Sequence, residues 1–172
     1  MRHLLIGALL LAGTGCSLIT VKQQPFPPLE VRAARPPPPP ARVVLTASSI
    51  TIGEKVQFET GSSQILPVSH GLLDEVAKML VDNPQIELLQ VEGHTDSTGT
   101  AAINRKLSQQ RAESVQKYLA SKGVATGRMK AKGFGPDKPI ADNATDEGKD
   151  KNRRVEFNIV KQGPKKTVVQ DD

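Results

Sequence analysis

The sequence predicts an α/β fold: a two-layer α/β sandwich of order β-α-β-α-β-β, with a mixed sheet and both helices on one face. Three observations lead there. Residues 72–80 and 107–119 repeat apolar side chains at helical spacing, and short apolar or alternating runs stand before, between and after them. The length of 172 residues suits one ordinary domain with appendages and is too short for two comfortable cores.

Each element has a local reason. Ile50 and Ile52, then Val56 and Phe58, alternate with polar residues around Gly53, which suggests a bent strand or a short hairpin ending near Phe58. Leu72, Leu73, Val76, Ala77 and Leu80 form a helical stripe, with Ser69 as a candidate N-cap and Asn83-Pro84 as the stop. Ile86, Leu88, Leu89 and Val91 make a run short enough for a buried strand. Leu107, Ala112, Val115, Tyr118 and Leu119 define the second helix, closed by Gly123. Met129 and Ala131 alternate against lysines as a third strand, a long polar loop fills residues 136–152, and Val155, Phe157 and Ile159 form the last strand. Connecting helices imply partly parallel pairing through right-handed crossovers, with the final two strands expected as an antiparallel pair.

Outside this core the chain changes character. Residues 1–16 have a basic start at Arg2, an apolar run and small residues up to Cys16, the layout of a secretory signal and too short to span a membrane. Cys16 is the single cysteine, so no internal disulfide forms. Its position resembles the lipobox of bacterial lipoproteins, although Gly13 stands where that pattern prefers Leu. The resemblance implies acylation (palmitate) at Cys16, and Ser17 after it leans towards the outer membrane. Residues 17–41 include five consecutive prolines at 36–40 and read as a semi-rigid spacer. The folded part is assigned to 42–162 and a polar tail to 163–172.

The net charge of +5 does not signal nucleic acid. Residues 42–162 hold 17 Lys+Arg against 15 Asp+Glu, and with one Tyr and no Trp there is little surface for base stacking.

Chemistry concentrates in Gly93-His94-Thr95-Asp96-Ser97-Thr98-Gly99, a loop leaving the carboxyl end of a strand. Arg111 follows fifteen residues after Asp96, in step with Ile103, Leu107 and Val115, where a charge is unexpected. A straight helix from Thr100 to Arg111 rises about 16 Å, so joint action of Asp96 and Arg111 is expected to require a break near Leu107-Ser108, with Asn104 steadying a turn and Ser108 restarting the helix. The pair would then offer a carboxylate to an ammonium and a guanidinium to a carboxylate, as a zwitterionic headgroup requires. An internal Asp96–Arg111 ion pair that only fixes the loop is the plainer alternative.

The ordered motifs "VQFETGSSQI", "GHTDSTGTAAINRKLSQQRAESVQKYLASKGV", "GFGPDKPIADN" and "NRRVEF" resemble the OmpA-like peptidoglycan-binding domain family, of the peptidoglycan-associated lipoprotein type, over residues 51–160. The resemblance implies noncovalent binding of the peptide stem of peptidoglycan, chiefly its diaminopimelate. Asp96 matches the aspartate of the family's T-D-x-x-G loop and Arg111 the arginine of L-S-x-x-R-A. Thr95 and Asn104 match positions that shape the pocket, Leu107 one that packs, and Arg154, or its neighbour Arg153, one that supports it.

The implied protein is a lipid-anchored component of the cell outer membrane with its domain in the periplasm, joining membrane to wall. Other envelope proteins are the alternative partners, served by the 136–152 loop and the tail. No cofactor and no nucleic acid is expected. His94-x-Asp96 lacks a third metal ligand nearby in sequence, so no metal is expected and His94 is read as a hydrogen-bonded brace. The dispersed Asp142, Asp146, Glu147 and Asp150 do not have calcium-loop spacing. A peptidoglycan hydrolase is the enzyme alternative, disfavoured because no nucleophile–histidine–acid set is evident.

Overall fold

The computed structural model describes residues 41–164. The signal segment with Cys16, the proline-rich spacer up to residue 40 and the tail beyond 164 lie outside the described residues. Strands β1 (Val43–Leu45) and β2 (Ser49–Ile52) form a hairpin, followed by α1 (His70–Asp82), β3 (Ile86–His94), α2 (Ala101–Ser121), β4 (Met129–Gly135), α3 (Asp146–Asn152) and β5 (Val155–Gln162). The sheet order is β1-β2-β5-β3-β4, and only β3 and β4 run parallel. The expected mixed sheet is present, with α1 and α2 sharing one core with it. No helix among the described residues is long and apolar enough to cross a membrane.

Burial follows the predicted periodicities. Leu72, Leu73, Val76, Ala77 and Leu80 of α1 meet Leu89 and Val91 of β3, Val115 and Leu119 of α2, and Phe157 of β5. Asn83 caps the C-terminus of α1. The Ser69 side chain does not cap its start, because its Oγ accepts from the Gln57 N–H instead and pins the preceding loop.

Three expectations are corrected. First, β4 and β5 do not pair: β5 inserts between β2 and β3. The reason lies in α2, whose polar side chains occupy β4's backbone. Gln116 donates to the Met129 carbonyl, Gln109 donates to that of Ala131 and accepts from Gly133 N–H, and Ser108 Oγ accepts from Gly135 N–H. An edge so satisfied offers no ladder to another strand. Second, the 136–152 segment contains the short helix α3, capped by Thr145, which accepts from Gly148 N–H, with Asp146 and Glu147 in its first turn. Buried Asn152 binds the Ile140, Ala141 and Asn143 groups and gives this segment one shape. Third, residues 56–58 are not part of a sheet strand. They run beside 64–66, with Glu59 N–H donating to Gln64 O and Leu66 N–H to Gln57 O, as the legs of a loop.

Helix α2 is also unbroken from Ala101 to Ser121, against the expected interruption at Leu107-Ser108. Its inward face holds the expected Ala112, Val115 and Leu119, but in the first half Asn104 and Ser108 face inward in place of Ile103 and Leu107, and Ile103 is exposed. Small residues let the helix lie directly on the sheet. A Cβ at Gly93 would stand 2.1 Å from the Ser108 carbonyl oxygen. Gly93→Ala is therefore expected to lower stability in urea unfolding by roughly 1–3 kcal/mol or more. Gly71→Ala in α1, where nothing lies within 4 Å, is expected to be neutral or stabilising by up to about 1 kcal/mol.

Candidate functional site

The chain leaves β3 at His94, runs past the end of the sheet, and returns as α2. Thr95 N–H donates to Gly135 O, Asp96 Oδ1 accepts from Thr98 N–H at 2.9 Å, and Thr100 caps α2 by accepting from Ile103 N–H. Asn104 Nδ2 reaches back to the carbonyls of Thr98 (2.8 Å) and Asp96 (3.4 Å). Asp96 is thus level with Asn104 rather than with the helix start. The remaining rise from Asn104 to Arg111 is about 10 Å, within reach of an arginine side chain together with the loop's own extension. A continuous helix and a shared site are compatible, which is why no break is needed.

Arg111 is half-buried. Its Nε donates to Ser62 O at 2.9 Å and its guanidinium lies 5.0 Å from the centre of the Phe58 ring. The loop carrying Phe58 and Ser62 closes a cleft of about 340 Å3 whose wall also includes Lys55, Arg153 and Arg154. Burial pulls the Arg111 pKa down from its ordinary value, the nearby Arg153 charge adds to this, and Asp96 opposes it. Arg111, Arg153, Arg154 and Lys55 outnumber Glu59 and Asp150 around this small space, which makes it receptive to an anion.

Asp96 is buried behind Arg153, whose Nη1 donates to its Oδ2 at 2.6 Å. Burial alone would raise the Asp96 pKa, but the hydrogen bonds from Arg153 and Thr98 outweigh it and hold the carboxyl below its ordinary value. Arg153 also contacts Asp150 at 3.1 Å, and Lys55 pairs with Asp150 in turn. The expected internal partner of Asp96 was Arg111; the side chain in contact is Arg153.

The remaining expected residues separate. Thr95 is buried, and its Oγ1 has no partner among the described residues. Asn104 is buried and orders the loop through its side-chain amide. Arg154 turns away from Asp96: its Nε donates to Glu156 Oε1 at 2.6 Å and its terminal nitrogens to Lys138 O. Leu107 is partly buried on α2. His94 is buried without a hydrogen bond to either ring nitrogen, so it is not the expected brace and instead stacks on Phe134 with centroids 5.4 Å apart. Burial, helped by Arg154, pushes its imidazole down to about 4 despite Glu156 and Glu92. Phe58 and Ser62 escaped the sequence reading as site residues, Phe58 because it was expected to end an alternating strand.

Between β2 and β5 runs a larger cleft of about 480 Å3, lined by Ile52, Ile140 and Phe157 among others. Its charged lining is Glu54, Lys55, Lys151, Arg154 and Glu156, without Arg111 or Arg153, and the smaller cleft that holds both of these is the stronger candidate site.

Residues 57–153 match the model of the OmpA family. The chain belongs to the OmpA family. It is 40% identical over 148 residues to outer membrane protein A of Bordetella avium, covering 85% of this chain and 68% of that one. It is 38% identical over 133 residues to the peptidoglycan-binding protein ArfA of Mycobacterium bovis, covering 75% of this chain and 40% of that one. The crystal structure of the peptidoglycan-associated lipoprotein from Burkholderia pseudomallei superposes with a TM-score of 0.54 at 31% identity, covering 60% of this chain and 86% of that one. This OmpA-family chain spans from 32% to 68% of the length of such curated relatives. These three relatives are named as an outer membrane protein, a peptidoglycan-binding protein and a peptidoglycan-associated lipoprotein, none of them for an enzymatic activity.

Because the Asp96 carboxyl is held below its ordinary value of 3.8, its contribution to stability is complete above that value and is lost as the pH falls through its folded pKa. Asp96→Asn should be less stable than wild type in urea at pH 7, and the gap should close as the pH is lowered past 3.8 and through the folded-state pKa.

Proposed function

We propose that this chain is an outer-membrane lipoprotein, anchored through Cys16, whose domain binds peptidoglycan noncovalently in the periplasm and so ties membrane to wall. The observation that carries this reading is that Arg111 lines the cleft while Asp96, near enough to act on the Arg111 charge, is paired with Arg153 of the same cleft wall. The ligand is a peptide stem bearing an ammonium and a carboxylate on one side chain, as diaminopimelate does.

The ligand carboxylate faces the terminal nitrogens of Arg111, whose Nε is already fixed by Ser62 O and whose plane rests on Phe58. The ligand ammonium takes the place of Arg153 on Asp96. Thr95 and Asn104 fix the loop, and Arg154 supports the wall of the cleft from its ion pair with Glu156. The names of relatives support the substrate class, ArfA being a peptidoglycan-binding protein and the Burkholderia neighbour a peptidoglycan-associated lipoprotein. No bond is made or broken; the work is mechanical linkage. Many copies on one membrane facing one polymer act together, so each grip need not be tight.

In pulldowns with purified peptidoglycan sacculi, Asp96→Ala and Arg111→Ala are each expected to weaken binding about 10- to 100-fold, the loss of one charge-assisted hydrogen-bonded contact. Folded variants that bind like wild type would refute the pocket assignment, and loss of turbidity of the sacculi would point to hydrolysis instead.

The anchor has a separate test. Metabolic labelling with a fatty acid should mark the wild-type chain and vanish in Cys16→Ala; label that persists places the acylation elsewhere. Several buried acyl chains at about 0.8 kcal/mol per methylene make such an anchor effectively permanent.

A further inference from the structure

On the sheet face away from α1 and α2, Glu92 and His94 of β3 stand beside Glu156 of β5. Glu92 and Glu156 are directly opposite in the antiparallel register. Like charges in that position destabilise a sheet unless something neutralises them. His94 Nε2 lies 3.7 Å from Glu92 Oε2 and 3.9 Å from Glu156 Oε2, and the three donor atoms lie within 4.8 Å of one another.

We propose that Glu92, His94 and Glu156 form a binding site for one divalent transition-metal ion of the zinc type. His94 is 1% exposed, and neither of its ring nitrogens has a partner among the described residues, a costly arrangement for a buried imidazole. A neutral imidazole is the form that binds a metal. Bond lengths of about 2.0–2.2 Å to nitrogen and carboxylate oxygen place two donors on one ion at most about 4.4 Å apart, so the site needs only slight contraction.

The other carboxylate oxygens are already held as ligand carboxylates usually are: Glu92 Oε1 accepts from Gln90 Nε2 at 2.7 Å and Glu156 Oε1 from Arg154 Nε at 2.6 Å. The two Oε2 atoms are left weakly engaged, with Lys138 Nζ at 3.4 Å from that of Glu92 and Asn158 Nδ2 at 3.4 Å from that of Glu156. Both distances exceed those of a strong charge-assisted hydrogen bond. Lys138 is half-exposed and also stands over Phe134, so its ammonium can withdraw when an ion enters past Glu156. The mixed nitrogen and oxygen donors favour zinc or manganese over magnesium or calcium. Asp96, two residues from His94, takes no part because Arg153 holds it. The bound ion would pin β3 to β5 just beneath the Asp96 loop.

The test is titration of the purified full chain with Zn2+ against a competing chromophoric chelator, with thermal melts alongside. Wild type should bind one ion that Glu156→Gln weakens at least tenfold, and Tm should rise with Zn2+ in wild type more than in that variant. Lys138→Met, an exposed change that leaves the ligands intact, should bind Zn2+ at least threefold more tightly by removing the competing ammonium. Saturable binding unchanged in both variants, the mark of adventitious surface donors, would overturn the proposal. So would absence of saturable binding in wild type, the outcome if Lys138 and Arg154 are the only counter-ions.

Discussion

The contact on which this structure depends is the direct seating of α2 on β3 and β4, backbone against backbone, at Gly93 and Gly133. A Cβ at Gly133 would fall 2.3 Å from the Gln109 nitrogen, much as one at Gly93 would strike the Ser108 carbonyl. With no side chains to separate the layers there, Ser108 Oγ and the Gln109 amide reach the β4 backbone and take the hydrogen bonds that a sixth strand would otherwise find. That closes the β4 edge, so β5 pairs with β2 and β3 instead. The same seating sets the height of α2 over the loop after β3. Asn104 can then hold that loop by its carbonyls while Arg111, two turns on, faces the cleft.

Charge around this frame is arranged so that the buried carboxylate is paired. Asp96 is buried, and a buried carboxylate must be paired or protonated. Arg153 pairs it from α3's C-cap, the position fixed by Asn152 and by the Thr145-capped helix before it. Arg111 belongs to another part of the network: its nearest polar contact is the neutral Ser62 carbonyl, and its charge lies close enough to Arg153 for the two to repel. The cleft is therefore cationic at Arg111, while Asp96 behind its wall is already neutralised by Arg153.

Much of the fold was legible because each apolar stripe needed only local spacing to be read. Leu72, Leu73, Val76 and Leu80 are buried on one face as their period requires, and Ile86, Leu89 and Val91 are buried in the sheet. Legibility ended where long-range hydrogen bonding decided the outcome. The outward backbone row of β4 is satisfied by Gln109 and Gln116, residues that look like solvated helix surface in sequence. Thr145-Asp146-Glu147 did carry a helix signal, a cap followed by acidic residues, hidden in a segment too polar to suggest one. The false break in α2 came from measuring along the helix from Thr100 and neglecting that the loop folds back. Asp96 and Arg111 were singled out through motif and spacing, whereas Phe58, Ser62 and the Asp96–Arg153 contact arise from segments 34 to 57 residues away from Asp96, and no local pattern encodes that distance.

The position of Arg153 bears on how such a cleft can stay folded and yet open. A single ion pair across Asp96 would resist displacement, since removing one partner strands a buried charge and costs several kcal/mol, on the order of 3–5. Arg153 has a second carboxylate at Asp150, and Asp150 is itself held by Lys55. When Arg153 leaves Asp96 it therefore keeps a partner at the surface. Asp96 meanwhile keeps the Thr98 N–H, which limits the penalty on its side. An incoming ammonium then has to replace one hydrogen bond rather than compensate two abandoned charges, which makes exchange at this carboxylate feasible without unfolding the loop that presents it.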